Sequence, residues 1–268
     1  MGAVTGLDRA QRLQVVAHDL WQAATDRRPT TPPSAVLGED LDAAYQVQDL
    51  LTLRSIWAGA SVRGHKVTSL DGPPCFGVLF NAMQHVGHDP LPCGQLVNPR
   101  IQAGIGFVVR EDLTGREVDE ALVTDAVSAV VPVLEVVDSR VDVEAPGQVD
   151  LVADNAGAAR FVVGEPAAVP APSHPFEAQL IRDGKVVADG GGGLRPWAAF
   201  AWLTRSLRER GLPLNAGELV LVGGLTRAFP VGEADWAVQV RDIGSVATTS
   251  RTGSTPWRAG HPNIRSCA

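Results

Sequence analysis

Cysteine is scarce: Cys75, Cys93 and Cys267 are the only three in 268 residues, an odd number at unrelated spacings. That pattern suits neither a disulfide framework nor a cysteine zinc cluster, and it points to a reducing compartment. Long apolar runs are missing too. No stretch reaches the roughly 18 residues of a membrane span, and Asp8, Arg9, Arg12 and Asp19 interrupt the N-terminal apolar residues where a signal peptide would need an unbroken core. A cytoplasmic protein with no membrane contact is expected. Positive charge is in deficit, with 23 Lys and Arg against 30 Asp and Glu, a net charge of −7 and a pI near 5.3. Nucleic-acid binding draws on clustered Lys and Arg, so a phosphate backbone is not an expected partner.

Several catalytic signatures are also absent. The six histidines show no H-x-x-x-H or H-E-x-x-H spacing, which leaves a histidine zinc site unsupported. No G-x-S-x-G elbow occurs. The run G-G-G-G at 190–193 lacks both the Lys-Ser/Thr of a P-loop and the order of G-x-G-x-x-G, so it reads as a tight or flexible turn. There is no internal repeat, and a polar stretch after about 249 is expected to be poorly ordered.

What is present is a 45% hydrophobic chain, long enough for one large core. Leu13, Val16, Ala17, Leu20 and Ala24 form the stripe of an amphipathic helix, which R-R-P-T-T-P-P-S at 27–34 breaks. A second helix is expected from about Glu39, burying Ala43, Val47, Leu50, Leu51 and Ile56. Beyond residue 60 the texture turns to strands at 61–67, 76–80, 101–109, 132–138, 160–163, 177–188, 218–222 and 236–241, with Asp183-Gly184 as a hairpin turn. Helices are expected at 117–129 and from Pro196 to Gly211, the latter burying Ala199, Trp202, Leu203 and Ser206. Irregularly inserted helices among strands define an α+β class, here with a helical part at 1–60 and a β-rich core at 61–268.

Three stretches carry candidate chemistry. V-P-V-L-E-V-V-D-S-R at 131–140 sets Glu135 in an apolar strand, where it serves acid–base chemistry or, on an edge strand, faces water. G-H-K-V-T-S at 64–69 sets Lys66 between a glycine and two hydroxyl residues, though an exposed lysine is ordinarily solvated. In L-V-A-D-N-A-G-A-A-R-F-V-V-G at 151–164, Asp154-Asn155 reads as a turn or helix start whose side chains cap backbone donors.

Taken in order, A-Y-Q-V-Q (44–48), G-H-K-V-T-S (64–69), F-G-V-L (76–79), L-E-V-V-D-S-R (134–140), V-A-D-N-A-G-A-A-R-F-V-V-G (152–164), W-L-T-R-S-L-R-E-R-G-L-P-L-N-A-G-E-L-V-L-V-G-G-L-T (202–226) and I-G-S-V (243–246) resemble the fumarylacetoacetate hydrolase superfamily. The resemblance is to its 2-keto-4-pentenoate hydratase and 4-oxalocrotonate decarboxylase branch. It implies a rolled mixed β-sheet core after an N-terminal helical part, a homo-oligomer, and Mg²⁺ or Mn²⁺ held by a Glu-x-Glu pair and a third Glu. Glu135 matches the third. Where the family reads roughly Glu-x-Glu-Ile-Ala-Phe, this chain reads Gln102-Ala103-Gly104-Ile105-Gly106-Phe107. The family's aspartate before the aromatic-Gly pair is Cys75, and its Ser-Gly-Ser/Thr-Leu-Thr is Val222-Gly223-Gly224-Leu225-Thr226.

The expectation is therefore a metal-independent lyase, or an isomerase or cyclase, with no cofactor and a small enolisable carbonyl substrate, a keto acid or a diketone. Lys66 and Glu135 are the expected catalytic pair. Gln102, Cys75, Asp154 and Thr226 are the expected substrate contacts. Two other readings stand beside it: a catalytically silent homologue that packs on an active partner subunit, and a metal-dependent hydratase or decarboxylase using Asp138 or Asp154 as substitute ligands.

Overall fold

The computed structural model describes residues 7–68, 73–86, 89–113, 118–191 and 195–251. The chain opens with helices α1 (Arg9–Asp26), α2 (Ser34–Leu37) and α3 (Leu41–Trp57). Asp8 caps α1 in a reciprocal box with Gln11, and Arg27 ends it in the left-handed conformation at φ 57°. Val16, Ala17 and Leu20 of the expected stripe are buried. α3 buries Ala43 and Val47 as expected, but Ile56 is exposed because the last turn of the helix runs clear of the core. Arg54 of α3 stacks over the Trp21 ring of α1 at 3.9 Å, tying the two helices together.

Next come β1 (Val62–Thr68), β2 (Cys75–Phe80), β3 (Leu91–Pro92) and β4 (Pro99–Val109). After them lie α4 (Glu120–Asp125), β5 (Val127–Asp138), α5 (Gln148–Ala153), β6 (Ala158–Val163), β7 (Ala178–Arg182) and β8 (Lys185–Gly190). The described residues close with α6 (Pro196–Glu209), β9 (Leu219–Val222), β10 (Phe229–Pro230), β11 (Ala234–Val240) and β12 (Gly244–Arg251). One sheet runs β2-β1-β9-β4-β5-β6 with β10 also on β4, and a second runs β3-β12-β11-β7-β8. β1 and β9 are parallel while the rest of the first sheet is antiparallel, so the sheet is mixed, as expected. The Asp183-Gly184 turn takes φ 49° and 75°, the two positive values that a tight hairpin demands.

Three expectations need correction. The helix expected at 117–129 is only Glu120–Asp125, because Val127, Val130 and Val131 are β-branched residues that extend β5 instead. Strand β12 is an element the sequence reading lacks; it reaches Arg251, among the first residues of the stretch expected to be poorly ordered, and the chain beyond lies outside the described residues. Finally, α6 buries Trp197, Phe200, Leu203, Thr204 and Leu207, leaving Trp202 and Ser206 half-buried beside that stripe.

Register sorts the first sheet into two faces. Ile101, Ala103, Ile105, Phe107, Leu134 and Val136 share one, where Phe107 meets Trp197 of α6 at 4.4 Å and Phe200 at 5.5 Å. Phe200→Ala is expected to cost about 3–5 kcal/mol, and Trp202→Ala distinctly less; urea unfolding midpoints of the two variants check the order. The other face carries Lys66, Gln102, Gly104 and Glu135, with Leu79, Val131, Val133, Phe161, Leu219 and Leu221 packed as a separate cluster below them. Among the described residues no helix is long and apolar enough to cross a membrane.

Candidate active site

The curl of the sheet creates the site. Between Lys66 on β1 and Glu135 on β5 lie β9 and β4, a span of roughly 14 Å were the sheet flat at about 4.8 Å per strand. Rolling closes that gap, and the Lys66 ammonium rests against Oε1 of Glu135. Gln102 is the direct cross-strand partner of Glu135, and its Nε2 donates to Oε2 at 2.7 Å. Lys66 is 1% exposed and Glu135 2%, so the edge-strand and solvated readings of these residues are both overturned. Oε1 has the ion pair but accepts no hydrogen bond of ordinary geometry.

Gly223, just past β9, lets this happen. A Cβ there would stand 2.2 Å from Oε2 of Glu135 and 3.1 Å from Nε2 of Gln102. The backbone of the β9 exit therefore passes directly beside the carboxylate, and any side chain at 223 would displace it. The sequence places Gly223 in the Val222–Thr226 glycine turn but does not show which side chains it admits, although a glycine at a strand end is a signal of close approach.

The other expected contacts divide. Cys75 pairs across β1–β2 with Thr68, on the face that carries Lys66, and burial pushes its thiol up to about 11 despite the Lys66 charge, so it is a neutral donor near pH 7. Ser69 of the same motif falls outside the described residues. Thr226 accepts the Ala103 N–H at Oγ1, 3.1 Å, and so fastens the loop after β9 to β4. Asp154 is engaged by Arg140: Nε is ion-paired to Oδ1, and the Arg140 N–H donates to Oδ2 at 2.9 Å. Burial pushes this carboxyl up to about 6 against the pull of that arginine. Asp154 and Arg140 line a cavity of about 160 Å³ with Trp21, Gln48 and Phe80. Arg140 holds the Asp154 carboxylate, and among the described residues no hydrogen bond or ion pair joins it to Lys66, Gln102 or Glu135.

Asp138 is on the face opposite Glu135, where its carboxylate accepts the Val97 and Asn98 N–H groups at 3.1 and 2.6 Å. Asp154 stands at the end of α5 rather than at a helix start, and its side chain accepts from Arg140 instead of capping a helix donor. Asn155 accepts the Val78 N–H at 2.7 Å and returns a donor to Val78 O at 2.9 Å, extending β2 with a side chain. Gln48, buried and unremarked in the sequence beyond its A-Y-Q-V-Q context, donates to Phe76 O and Val152 O, both at 2.9 Å. In the glycine run, a Cβ at Gly190 would meet Leu225 O at 2.3 Å, which makes this a tight packing turn; residues 192–194 lie outside the described set.

No family model matches the chain. A 2-keto-4-pentenoate hydratase of Paraburkholderia xenovorans strain LB400 is 33% identical over 257 residues, covering 89% of this chain and 94% of that one. A TodF product hydratase of Pseudomonas putida F1 is 30% identical over 257 residues, with 89% and 95% covered. Among solved structures, 4-oxalocrotonate decarboxylase from Pseudomonas putida G7, complexed with magnesium and adipate, superposes with a TM-score of 0.83 at 27% identity, over 90% of this chain and 98% of that one. Fumarylacetoacetate hydrolase from Exiguobacterium antarcticum shares the fold, with a TM-score of 0.55 at 12% identity over 72% and 76% of the two chains. With hydratases about a third identical along nearly their whole length, the chain belongs to the 2-keto-4-pentenoate hydratase and 4-oxalocrotonate decarboxylase branch of the fumarylacetoacetate hydrolase superfamily.

Proposed function

We propose that the chain is a hydratase-like lyase or isomerase that works on a small enolisable carbonyl compound without a metal, using Lys66 and Glu135. The lyase character rests on its relatives, which are hydratases and a decarboxylase. The metal-free character rests on one observation: both oxygens of Glu135 are already held, one by the Lys66 ammonium and one by the Gln102 amide.

The residues present do not fit a hard divalent ion. Mg²⁺ or Mn²⁺ needs several oxygen ligands, some of them anionic, to replace its hydration shell. Among the described residues of this face Glu135 is the sole carboxylate of the cluster, Gln102 turns its nitrogen rather than its oxygen toward it, and Gly104 brings no donor. A Cβ at Gly104 would sit 3.1 Å from Val222 O, closer than side chains comfortably pack. Among the described residues no three His, Cys, Asp or Glu cluster as a metal site.

The ammonium of Lys66 supplies the electrophile instead. It donates a hydrogen bond to the substrate's carbonyl oxygen while Oε1 of Glu135 takes a proton from the neighbouring carbon, giving an enolate whose charge the ammonium stabilises. Gln102 steadies Oε2 so that Oε1 is the basic atom. Glu135 then returns the proton to another carbon of the conjugated system, which yields a tautomer; for a hydration, water adds to the far carbon of the resulting enone, and Glu135 passes the water's proton to the carbon next to the carbonyl. The carboxylate ends as it began.

The decarboxylase neighbour is complexed with magnesium, which favours a second reading, metal-dependent chemistry, in which Lys66 must leave Oε1. Deuterium exchange decides between them. Small ketones, lactones and 2-oxo acids in D₂O with EDTA are followed by NMR at the carbon next to the carbonyl. Exchange well above the uncatalysed rate is expected, and its loss in Glu135→Gln. Exchange that appears only when Mn²⁺ is added sinks the proposal.

A further inference from the structure

From the charge balance at Glu135 we infer that the reacting end of the substrate is an uncharged carbonyl, a ketone, enone or lactone, rather than a 2-oxo carboxylate. This deepens the metal-free reading and rests on it. Lys66 and Glu135, both essentially excluded from solvent, are one cation and one anion in contact, and they neutralise each other. Gln102 and Cys75, the polar neighbours on that face, are neutral groups. A carboxylate placed beside the reacting carbonyl would be stripped of water next to a pair with no surplus positive charge, and desolvating an anion without a counter-ion is strongly unfavourable. A neutral carbonyl oxygen loses far less hydration and still accepts from the ammonium.

Other cations do not correct the balance. His65 points to the opposite face of β1 and is kept neutral by burial, its pKa lowered to about 4. Arg160 pairs with Val136 and so also sits on the opposite face. Arg63 is committed to Gln84 Oε1 at 3.1 Å and Gly217 O at 2.7 Å. Arg140 holds Asp154. Among the described residues Arg100 alone shares the face of Gln102 from β4, two positions earlier at the exposed start of the strand, with Nη2 on Ala228 O at 3.0 Å. Two residues along a strand is roughly 7 Å. Negative charge is therefore tolerated at the far end of a substrate, near Arg100, and not beside the carbonyl that reacts.

The test is a matched pair of probes, 2-pentanone and 2-oxopentanoate, titrated by NMR into the full chain at pH 6 with EDTA. The neutral ketone is expected to bind at least 10-fold more tightly. In Glu135→Gln, which keeps side-chain size but removes the counter-charge of Lys66, 2-oxopentanoate should gain at least 10-fold. Should that variant not fold, the wild-type comparison decides alone. Tighter binding of the oxo acid by the wild type in EDTA, or no binding of the ketone, overturns the inference while leaving metal-free chemistry standing. A preference for the oxo acid that appears only with Mn²⁺ overturns the metal-free reading beneath it.

Discussion

Removing Lys66 or Glu135 alone is expected to lower turnover by about 10² or more and, at the same time, to destabilise the fold. The two effects share a cause. Each residue is the other's ion-pair partner in the solvent-excluded face of the sheet, so Lys66→Ala leaves a buried carboxylate without its cation, and Glu135→Ala leaves a buried ammonium without its anion. Breaking a buried pair from one side costs about 3–5 kcal/mol, and at roughly 2–4 °C per kcal/mol for a chain of about this size the melting temperature should fall visibly. Replacing both with neutral residues of similar length, Lys66→Met with Glu135→Gln, should recover most of that stability while leaving turnover as low as in either single variant. The contrast separates chemistry from packing. A double variant that regains activity along with stability would mean that the pair is structural only, and single variants with unchanged melting temperature would mean that the two side chains are not in contact.

The sequence disclosed the strands well because their β-branched runs and glycine punctuation are local signals. It disclosed the site in part. Lys66, Glu135 and Gln102 stand out as polar residues inside apolar strands, and alternation puts Gln102 on the face that turned out to carry Glu135. What it does not carry is the roll of the sheet, a property of β9 entering between β1 and β4 from more than a hundred residues away. Without that roll Lys66 and Glu135 are merely residues on separate strands. Gly223 is illegible for the same reason: its missing side chain matters only because Glu135 and Gln102 come to lie against it. Asp154 shows the converse. A carboxylate in a distinctive run looks like a substrate contact, but its partner Arg140 lies fourteen positions upstream and claims it. α4 ends well short of the expected 129, since the β-branched residues after Asp125 belong to the longest strand of the sheet, where cross-strand packing outweighs helical propensity. Composition carries a further clue: the chain has only two lysines, and Lys66 is buried while Lys185 is exposed at a hairpin. Where arginine serves nearly everywhere for surface charge, a lysine inside a strand is the more informative residue, because an ammonium adjusts to burial and proton transfer as a guanidinium does not.

Restoring carboxylates to β4 is expected to create Mn²⁺ binding that the parent lacks. Gln102→Glu puts an oxygen where Nε2 now stands, 2.7 Å from Oε2 of Glu135, and two carboxylates so close must share a proton or take up a cation. Gly104→Glu adds a third carboxylate on the same face, two residues along the strand. Room there is tight: the new Cβ would stand 3.1 Å from Val222 O and 3.6 Å from Gly223 Cα, so the exit of β9 must give by a few tenths of an ångström. The double variant should therefore be less stable than the parent without metal. With Mn²⁺ it should regain stability, since a ligand present at a hundred times its Kd contributes about 2.7 kcal/mol to the bound fold. A Kd on the order of 10⁻⁵ to 10⁻³ M is expected for three carboxylates in an unrefined site, read by calorimetry and by the metal-induced rise in melting temperature. Adding Lys66→Met should tighten it further, because the ammonium competes with the ion for Oε1. The unmodified chain should show neither heat nor shift at the same concentrations. Saturable one-to-one Mn²⁺ binding by the unmodified chain, lost in Glu135→Gln, would mean that Lys66 yields Oε1 to a metal, and the metal-dependent hydratase reading would take the place of the one proposed.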